Sequence, residues 1–108
     1  MGRADEGKRA PSTKDLDPLI HGPARLAIMA NLYMLESADF TFLLNLTELT
    51  WGNLSTHVRK LEEGGYVLVE KSFVGRKPKT MLSLSPQGRA AFQSYREQMK
   101  EFFDELPD

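Results

Sequence analysis

The chain contains no cysteine, and this absence excludes several kinds of chemistry. Among its 108 residues there can be no disulfide, no thiol nucleophile and no cysteine-ligated zinc or iron–sulfur site. It also lacks a run of about 18 apolar residues and an apolar N-terminal segment of the signal-peptide kind. From these absences we expect a cytoplasmic protein that has no membrane-spanning segment.

Histidine is scarce, and recognisable catalytic spacings are missing. The two histidines, His21 and His57, are far apart in the chain, and the Gly64–Gly65 pair does not belong to a glycine-rich phosphate-binding motif. No set of histidines and carboxylates has the spacing of a metal site. We therefore expect no enzyme activity, no metal and no cofactor.

The net charge of −1 is unusual for a protein that binds nucleic acid, but the positive charge is unevenly distributed. Residues 50–80 carry six basic and three acidic side chains, whereas residues 81–108 carry three basic and five acidic ones. The six basic residues are Arg59, Lys60, Lys71, Arg76, Lys77 and Lys79. Positive charge is thus concentrated in one part of the chain.

Residues 50–64 have the pattern of an amphipathic helix. Thr50 can cap its N-terminus, and Leu54, Val58 and Leu61 form a narrow apolar stripe. The opposite face carries small, hydrogen-bonding or cationic side chains, which are suited to base edges and phosphates. These are Gly52, Asn53, Thr56, Arg59 and Lys60.

A β-hairpin is predicted directly after this helix. Gly64–Gly65 would end the helix, and residues 66–69 and 80–84 favour β-strands. The predicted tip, residues 75–79, contains a glycine, a proline and three cations. We expect Arg76, Lys77 and Lys79 to hold a phosphate backbone.

The segment that precedes this helix has three predicted parts. Residues 1–14 are polar and form a disordered tail, and residues 15–108 form one domain with a short helical lead-in at 15–21. A helix is predicted from Pro23 to Leu35, so apolar that we expect a partner subunit to cover it. A short extended piece at 39–40 leads into a second helix that is capped near Thr41, which completes a helix-turn-helix.

The final predicted helix has the clearest apolar periodicity in the chain. Ser85 caps it, Pro86 lies in its first turn, and its aromatic stripe needs a partner surface. We expect the first and last helices of two subunits to pack together. The predicted dimer contacts are Leu26, Met29, Phe92, Tyr95, Met99, Phe102, Phe103 and Leu106.

The order of these elements resembles small prokaryotic winged-helix transcriptional regulators of the MarR/ArsR kind. The matching residues are 49–50, 53–62, 65–67, 75–78 and 84–88, with a weaker likeness at 16–21 and 25–29. The resemblance implies an α+β, mostly helical fold: a winged helix-turn-helix with a two-stranded β wing and a long C-terminal dimerisation helix. It also implies a homodimer that binds a pseudo-palindromic operator, with repression as the default mode of action. Helix 50–64 would lie in the major groove and wing 71–80 on the backbone or minor groove.

Further partners and alternatives stay open at this point. A small apolar effector could bind between the first and last helices, and no membrane partner is expected. The predicted DNA contacts are Trp51, Asn53, Ser55, Thr56, His57, Arg59 and Lys60 on the helix and Arg76, Lys77 and Lys79 on the wing. The alternative roles are packing for Trp51 and His57, hydrogen bonding back to the helix for Ser55 and Thr56, helix capping for Asn53, and an ordinary solvated face for Arg59 and Lys60. The alternative function is a protein-docking winged helix that does not read DNA.

Overall fold

A computed structural model describes residues 12–108, and residues 1–11, most of the predicted tail, lie outside them. The elements are α1 (Pro23–Leu35), β1 (Ser37–Asp39), α2 (Phe40–Thr47), α3 (Trp51–Glu63), β2 (Val67–Val74), β3 (Lys77–Leu84) and α4 (Pro86–Asp104). The short helix predicted at 15–21 is wrong, because that segment forms turns. Pro18 disfavours a helical residue before it, and a carboxylate oxygen of Asp17 accepts the backbone N–H of Leu19 at 2.9 Å.

The helix starts follow from side-chain caps. The hydroxyl of Thr50 accepts the backbone N–H of Asn53 at the start of α3, and that of Ser85 accepts the N–H of Gly88 at the start of α4. Both caps agree with the sequence prediction. The cap of α2 is Asp39, not Thr41, since the Asp39 carboxylate accepts the N–H of Thr41 at 2.6 Å.

The hairpin belongs to a three-stranded antiparallel sheet with the order β1-β3-β2. β1 pairs with the part of β3 next to the core, where Ala38 faces Leu82. The two-stranded hairpin was therefore predicted correctly but incompletely, and the predicted extended piece lies at 37–39. Three residues are too few for strand periodicity to be visible in the sequence.

The hydrophobic core is built around α1. Ile28, Met29 and Leu32 are fully buried, and α1 contacts α2, α3, α4 and the sheet. Leu16 and Ile20 of the N-terminal turns also join this core. The prediction that α1 needs a partner subunit to cover it is therefore wrong for these three residues, because the chain itself covers them.

The same core corrects part of the predicted dimer interface. Met29 is 0% exposed, Tyr95 3% and Phe92 6%, so these side chains pack within the single chain. Surface remains available at Leu26, Met99, Phe102, Phe103 and Leu106. The first half of the aromatic stripe of α4 thus packs into the core, and its second half lies outside the core.

Hydrogen bonds tie the N-terminal turns to the rest of the fold. The hydroxyl of Tyr66 donates to a carboxylate oxygen of Asp17, and this bond, with burial, raises the pKa of Tyr66 to about 12. Nδ1 of His21 and the hydroxyl of Tyr95 are hydrogen-bonded at 2.8 Å. These contacts hold the segment before α1 against β2 and α4.

Candidate nucleic-acid interface

The apolar stripe of α3 packs into the core, which leaves polar side chains on the outward face of the helix. Leu54, Val58 and Leu61 are buried, as predicted. On the other side Asn53 and Lys60 are exposed. Gly52 and Arg59 are also exposed, and Ser55 and Thr56 are half-buried. The helix therefore presents hydrogen-bonding and cationic groups to solvent, where they can contact a nucleic-acid duplex.

Trp51 is the first residue of α3 and has two environments. Its ring lies 4.6 Å from that of Phe40, centroid to centroid, so one side packs on α2. The side chain is nevertheless 64% exposed. From the sequence, packing and ligand contact are alternative roles for Trp51. The structure is compatible with both roles.

His57 is tied to α1. Its Nδ1 lies 3.2 Å from a guanidinium nitrogen of Arg25, and the side chain is half-buried. Burial lowers the pKa of His57, and the charges of Arg25 and Lys60 lower it further. A neutral imidazole can accept a hydrogen bond from Arg25, so this geometry supports the packing role for His57.

The hairpin of β2, β3 and their turn, which we call the wing, is longer than predicted. Its strands pair as far as Val74 and Lys77, joined by a two-residue turn in which Gly75 has φ +65°. Phe73 and Pro78 face each other one step further in. In two-residue hairpins the pair that closes the turn, here Val74 and Lys77, is hydrogen-bonded and the next pair is not. Pro78 lies in that next pair, so its missing backbone N–H removes no hydrogen bond from the ladder.

The register decides which face of the wing each cation occupies. Lys71 pairs with Thr80, and both line a groove of about 280 Å³ between the wing and α3. Lys77 and Lys79 alternate to the opposite face, and Arg76 lies in the turn. The groove is lined by Phe40, Trp51, Ser55, Val58, Arg59, Glu62, Val69, Lys71 and Thr80.

Lys71 was not among the predicted contacts, yet it lines the same groove as Arg59 of α3. Strand alternation was the signal that could have found it, but the strand was predicted to end at residue 69. Seven of the predicted contacts lie on α3 and three on the wing. The groove brings Trp51, Ser55 and Arg59 next to the wing.

A second groove, of about 720 Å³, lies between α1 and α4. Its walls include the predicted dimer residues Leu26, Met99 and Phe103. They also include Gln93, Arg96, Glu97 and Lys100, so this groove is not purely apolar. Phe102 lies elsewhere, beside Leu16 of the N-terminal turns.

The α1–α4 groove is flanked by an aromatic and cationic cluster. The guanidinium carbons of Arg89 and Arg96 lie 4.9 and 5.8 Å from the centroid of the Tyr33 ring. The side-chain amide of Gln93 donates to the Tyr33 hydroxyl at 3.2 Å, which lowers the pKa of Tyr33. These contacts fix the orientation of α4 on α1.

None of the helices within residues 12–108 has the length and apolar character needed to cross a membrane. Within the same range, no three histidine, aspartate or glutamate side chains are grouped as metal ligands would be.

Comparison with known proteins identifies the fold. The family model described as "Winged helix DNA-binding domain" matches residues 24–103. An uncharacterized protein of Methanocaldococcus jannaschii is 39% identical over 77 residues, which cover 71% of this chain and 84% of that protein. A solved transcriptional regulator homologue from Pyrococcus horikoshii is 30% identical with a TM-score of 0.75, and the match covers 80% of this chain and 85% of that one.

More distant solved structures share the fold. A MarR family regulator from Silicibacter pomeroyi is 22% identical with a TM-score of 0.65, covering 85% of this chain and 61% of that one. An ArsR family regulator is 16% identical with a TM-score of 0.53, covering 82% and 87%. The expected likeness to both kinds of regulator is confirmed. This chain belongs to the winged helix DNA-binding domain family.

Proposed function

We propose that the protein is a homodimeric transcriptional regulator that binds a pseudo-palindromic DNA site. The observation that carries the proposal is the shared groove of α3 and the wing. It places Arg59 of the helix and Lys71 of the wing along one surface, with Arg76 at the end of the hairpin. One helix that fits the major groove and a cationic hairpin beside it can bind a duplex together.

The two elements have different tasks in this proposal. Asn53 and Thr56 lie on the part of α3 away from the core, where hydrogen-bonding side chains can read base edges. Arg76, Lys77 and Lys79 supply charge for phosphates, which holds the protein on DNA without reading its sequence.

Dimerisation is proposed through the outer half of α4 and the adjoining part of α1. Phe103 is 59% and Leu106 43% exposed, and Leu26, Met99 and Phe103 line the α1–α4 groove. Exposed aromatic side chains of this kind are typical of subunit contacts. Two α3 helices held about one helical turn of DNA apart would read two half-sites.

Repression by blocking access to DNA is the proposed mode of action, because no activating segment is evident in residues 12–108. A small effector in the α1–α4 groove stays a secondary proposal. The charged residues Arg96 and Lys100 in that groove favour an effector with an acidic group over a purely apolar one.

The test is selection from a pool of random duplex DNA at two salt concentrations, followed by sequencing of the retained molecules. Enrichment of an inverted repeat with half-sites about one turn apart supports the proposal. Retention without enrichment would indicate binding without sequence preference. Absence of any retention would favour the alternative, a protein-docking module that uses the aromatic end of α4.

A further inference from the structure

The wing carries an exposed aromatic side chain that the cationic contacts do not explain. Phe73 is 73% exposed, the largest exposed fraction among the exposed apolar side chains of residues 12–108. It lies two residues from the turn and faces Pro78 across the hairpin. No stacking or cation–π partner is found for it within the described part of the chain.

The position of Phe73 on the wing is set by strand alternation. Val69 and Lys71 line the groove next to α3, and Phe73 follows them at the same two-residue step. It therefore lies on the face of the wing that is turned toward α3, further out than the groove. The pair of Phe73 and Pro78 forms a small apolar surface at the end of this face.

Four cations lie on the same part of the hairpin as this apolar surface. Lys71 is on the same face, Arg76 follows in the turn, and Lys77 and Lys79 are on the other face. An apolar protein partner would not need these cations. The minor groove of a duplex suits the combination, because it has apolar deoxyribose walls with phosphates on both sides.

We propose that Phe73 enters the minor groove beside each half-site and makes apolar contact with its walls and base edges, while the neighbouring cations hold the flanking phosphates. This inference rests on the proposed function and adds a specific contact to it. Its physical consequence is a part of the binding free energy that does not depend on salt. Apolar contact releases no counterions, whereas each cation that neutralises a phosphate does.

The first experiment measures the affinity of Phe73→Ala for the selected DNA site by fluorescence anisotropy over a range of salt concentrations. We expect a loss of about tenfold at every salt concentration, the scale of losing one buried aromatic contact. The slope of log affinity against log salt should equal that of the wild type. Phe73→Leu, which keeps an apolar side chain, should recover much of the loss.

The matched control is Leu68→Ala on the same strand. Leu68 is 54% exposed but alternates to the face turned away from α3. We expect its affinity to stay within about twofold of the wild type. An equal loss in both variants, or no loss in Phe73→Ala, would overturn the proposal.

The second experiment asks whether the contact is in the minor groove. Inosine–cytosine pairs next to each half-site leave the minor groove open, and guanine–cytosine pairs add an amino group to it. The wild type should bind the inosine site several-fold more tightly, and Phe73→Ala should bind both sites equally. If Phe73→Ala discriminates as strongly as the wild type, the minor-groove assignment is wrong.

Further results distinguish a failure of the proposed function from a failure of this inference. If the wild type retains no DNA, the proposed function and this inference fail together, whereas an unaffected Phe73→Ala in a wild type that binds overturns only the inference. Sedimentation of both proteins at one concentration tests the remaining alternative. A shift of Phe73→Ala toward monomer would assign Phe73 to a subunit contact instead.

Discussion

A guanidinium nitrogen of Arg25 lies 3.2 Å from Nδ1 of His57, and this contact joins α1 to the proposed recognition helix. Arg25 also donates from Nε to the backbone carbonyl of Leu19 at 2.6 Å. One arginine thus links the N-terminal turns, α1 and α3. The orientation of the outward face of α3 depends on this link as well as on the core.

The first prediction concerns the titration of His57. Its pKa is lowered in the folded protein, so the unfolded chain binds the additional proton more readily. The stability that depends on His57 is therefore fully present above about pH 6.5, its unfolded value, and is lost as the pH falls through the folded pKa. We expect His57→Gln to lose less stability than the wild type between pH 7.5 and 5.5, measured by urea unfolding.

An NMR titration checks the cause of this shift. In Arg25→Met the pKa of His57 should rise toward its ordinary value, because one of the positive charges beside the ring is gone. It should remain below that value, since burial is the larger cause. A wild-type His57 that titrates above its ordinary range would contradict the prediction.

The second prediction compares two glycines in helices. A Cβ added at Gly88 would lie 2.1 Å from the backbone carbonyl oxygen of Tyr66, so α4 would have to move away from Tyr66, the residue before β2. We expect Gly88→Ala to be destabilised by about 2–3 kcal/mol or more. Gly52 has no neighbour within 4 Å of such a Cβ, and Gly52→Ala should gain up to about 1 kcal/mol. Thermal and urea unfolding of both variants would test this contrast.

The third prediction concerns the cations of the wing. Replacing Arg76 and Lys77 by Ala should weaken binding to all DNA sequences, and the slope of log affinity against log salt should fall by roughly one for each cation removed. Lys14→Ala in the N-terminal turns serves as the control, because Lys14 is exposed and lies outside α3, the wing and the α1–α4 groove, and it should leave the slope unchanged. An unaltered slope in the double variant would show that the wing does not hold phosphates.

The fourth prediction separates reading from holding on α3. Asn53→Ala and Thr56→Ala should reduce the preference for the selected site over a scrambled one, by about 1–3 kcal/mol for a good base contact. Affinity for the scrambled site should change little. A uniform loss on both sites would instead assign these two residues to phosphate contacts.

The fifth prediction tests the subunit contact. Phe103→Glu places a charge on the exposed half of α4, which should shift the protein toward monomer and weaken DNA binding with it. Phe42→Glu is the matched control, because Phe42 is 49% exposed on α2, away from the α1–α4 groove. Sedimentation equilibrium measures the oligomeric state of both variants. A dimer that persists in Phe103→Glu would place the interface elsewhere.

Local patterns in the sequence were sufficient for α1, α3, α4 and the hairpin, although they also predicted a helix at 15–21 that does not form. The caps of α3 and α4 at Thr50 and Ser85 and the buried stripe of α3 agree with prediction. These features depend on residues that are three to seven positions apart, so spacing along the chain contains the information. The polar outward face of α3 follows from the same spacing.

The tertiary structure decided what each apolar residue packs against. Spacing places Phe92 and Phe103 on one stripe of α4, but Phe92 is buried in its own protomer and Phe103 is exposed. The difference arises because α1, the N-terminal turns and the sheet cover only part of α4, through contacts between segments far apart in sequence. The pairing of β1 with β3 is of the same long-range kind.

The sequence by itself determined a winged helix with its cations gathered on α3 and the hairpin, because helix faces, caps and turns are local properties. Only the tertiary structure decided that His57 meets Arg25, that Lys71 joins Arg59 in one groove, and that Phe73 is left uncovered on the same face. These relationships depend on strand register and on the docking of separate elements. Neither is encoded in the spacing of neighbouring residues.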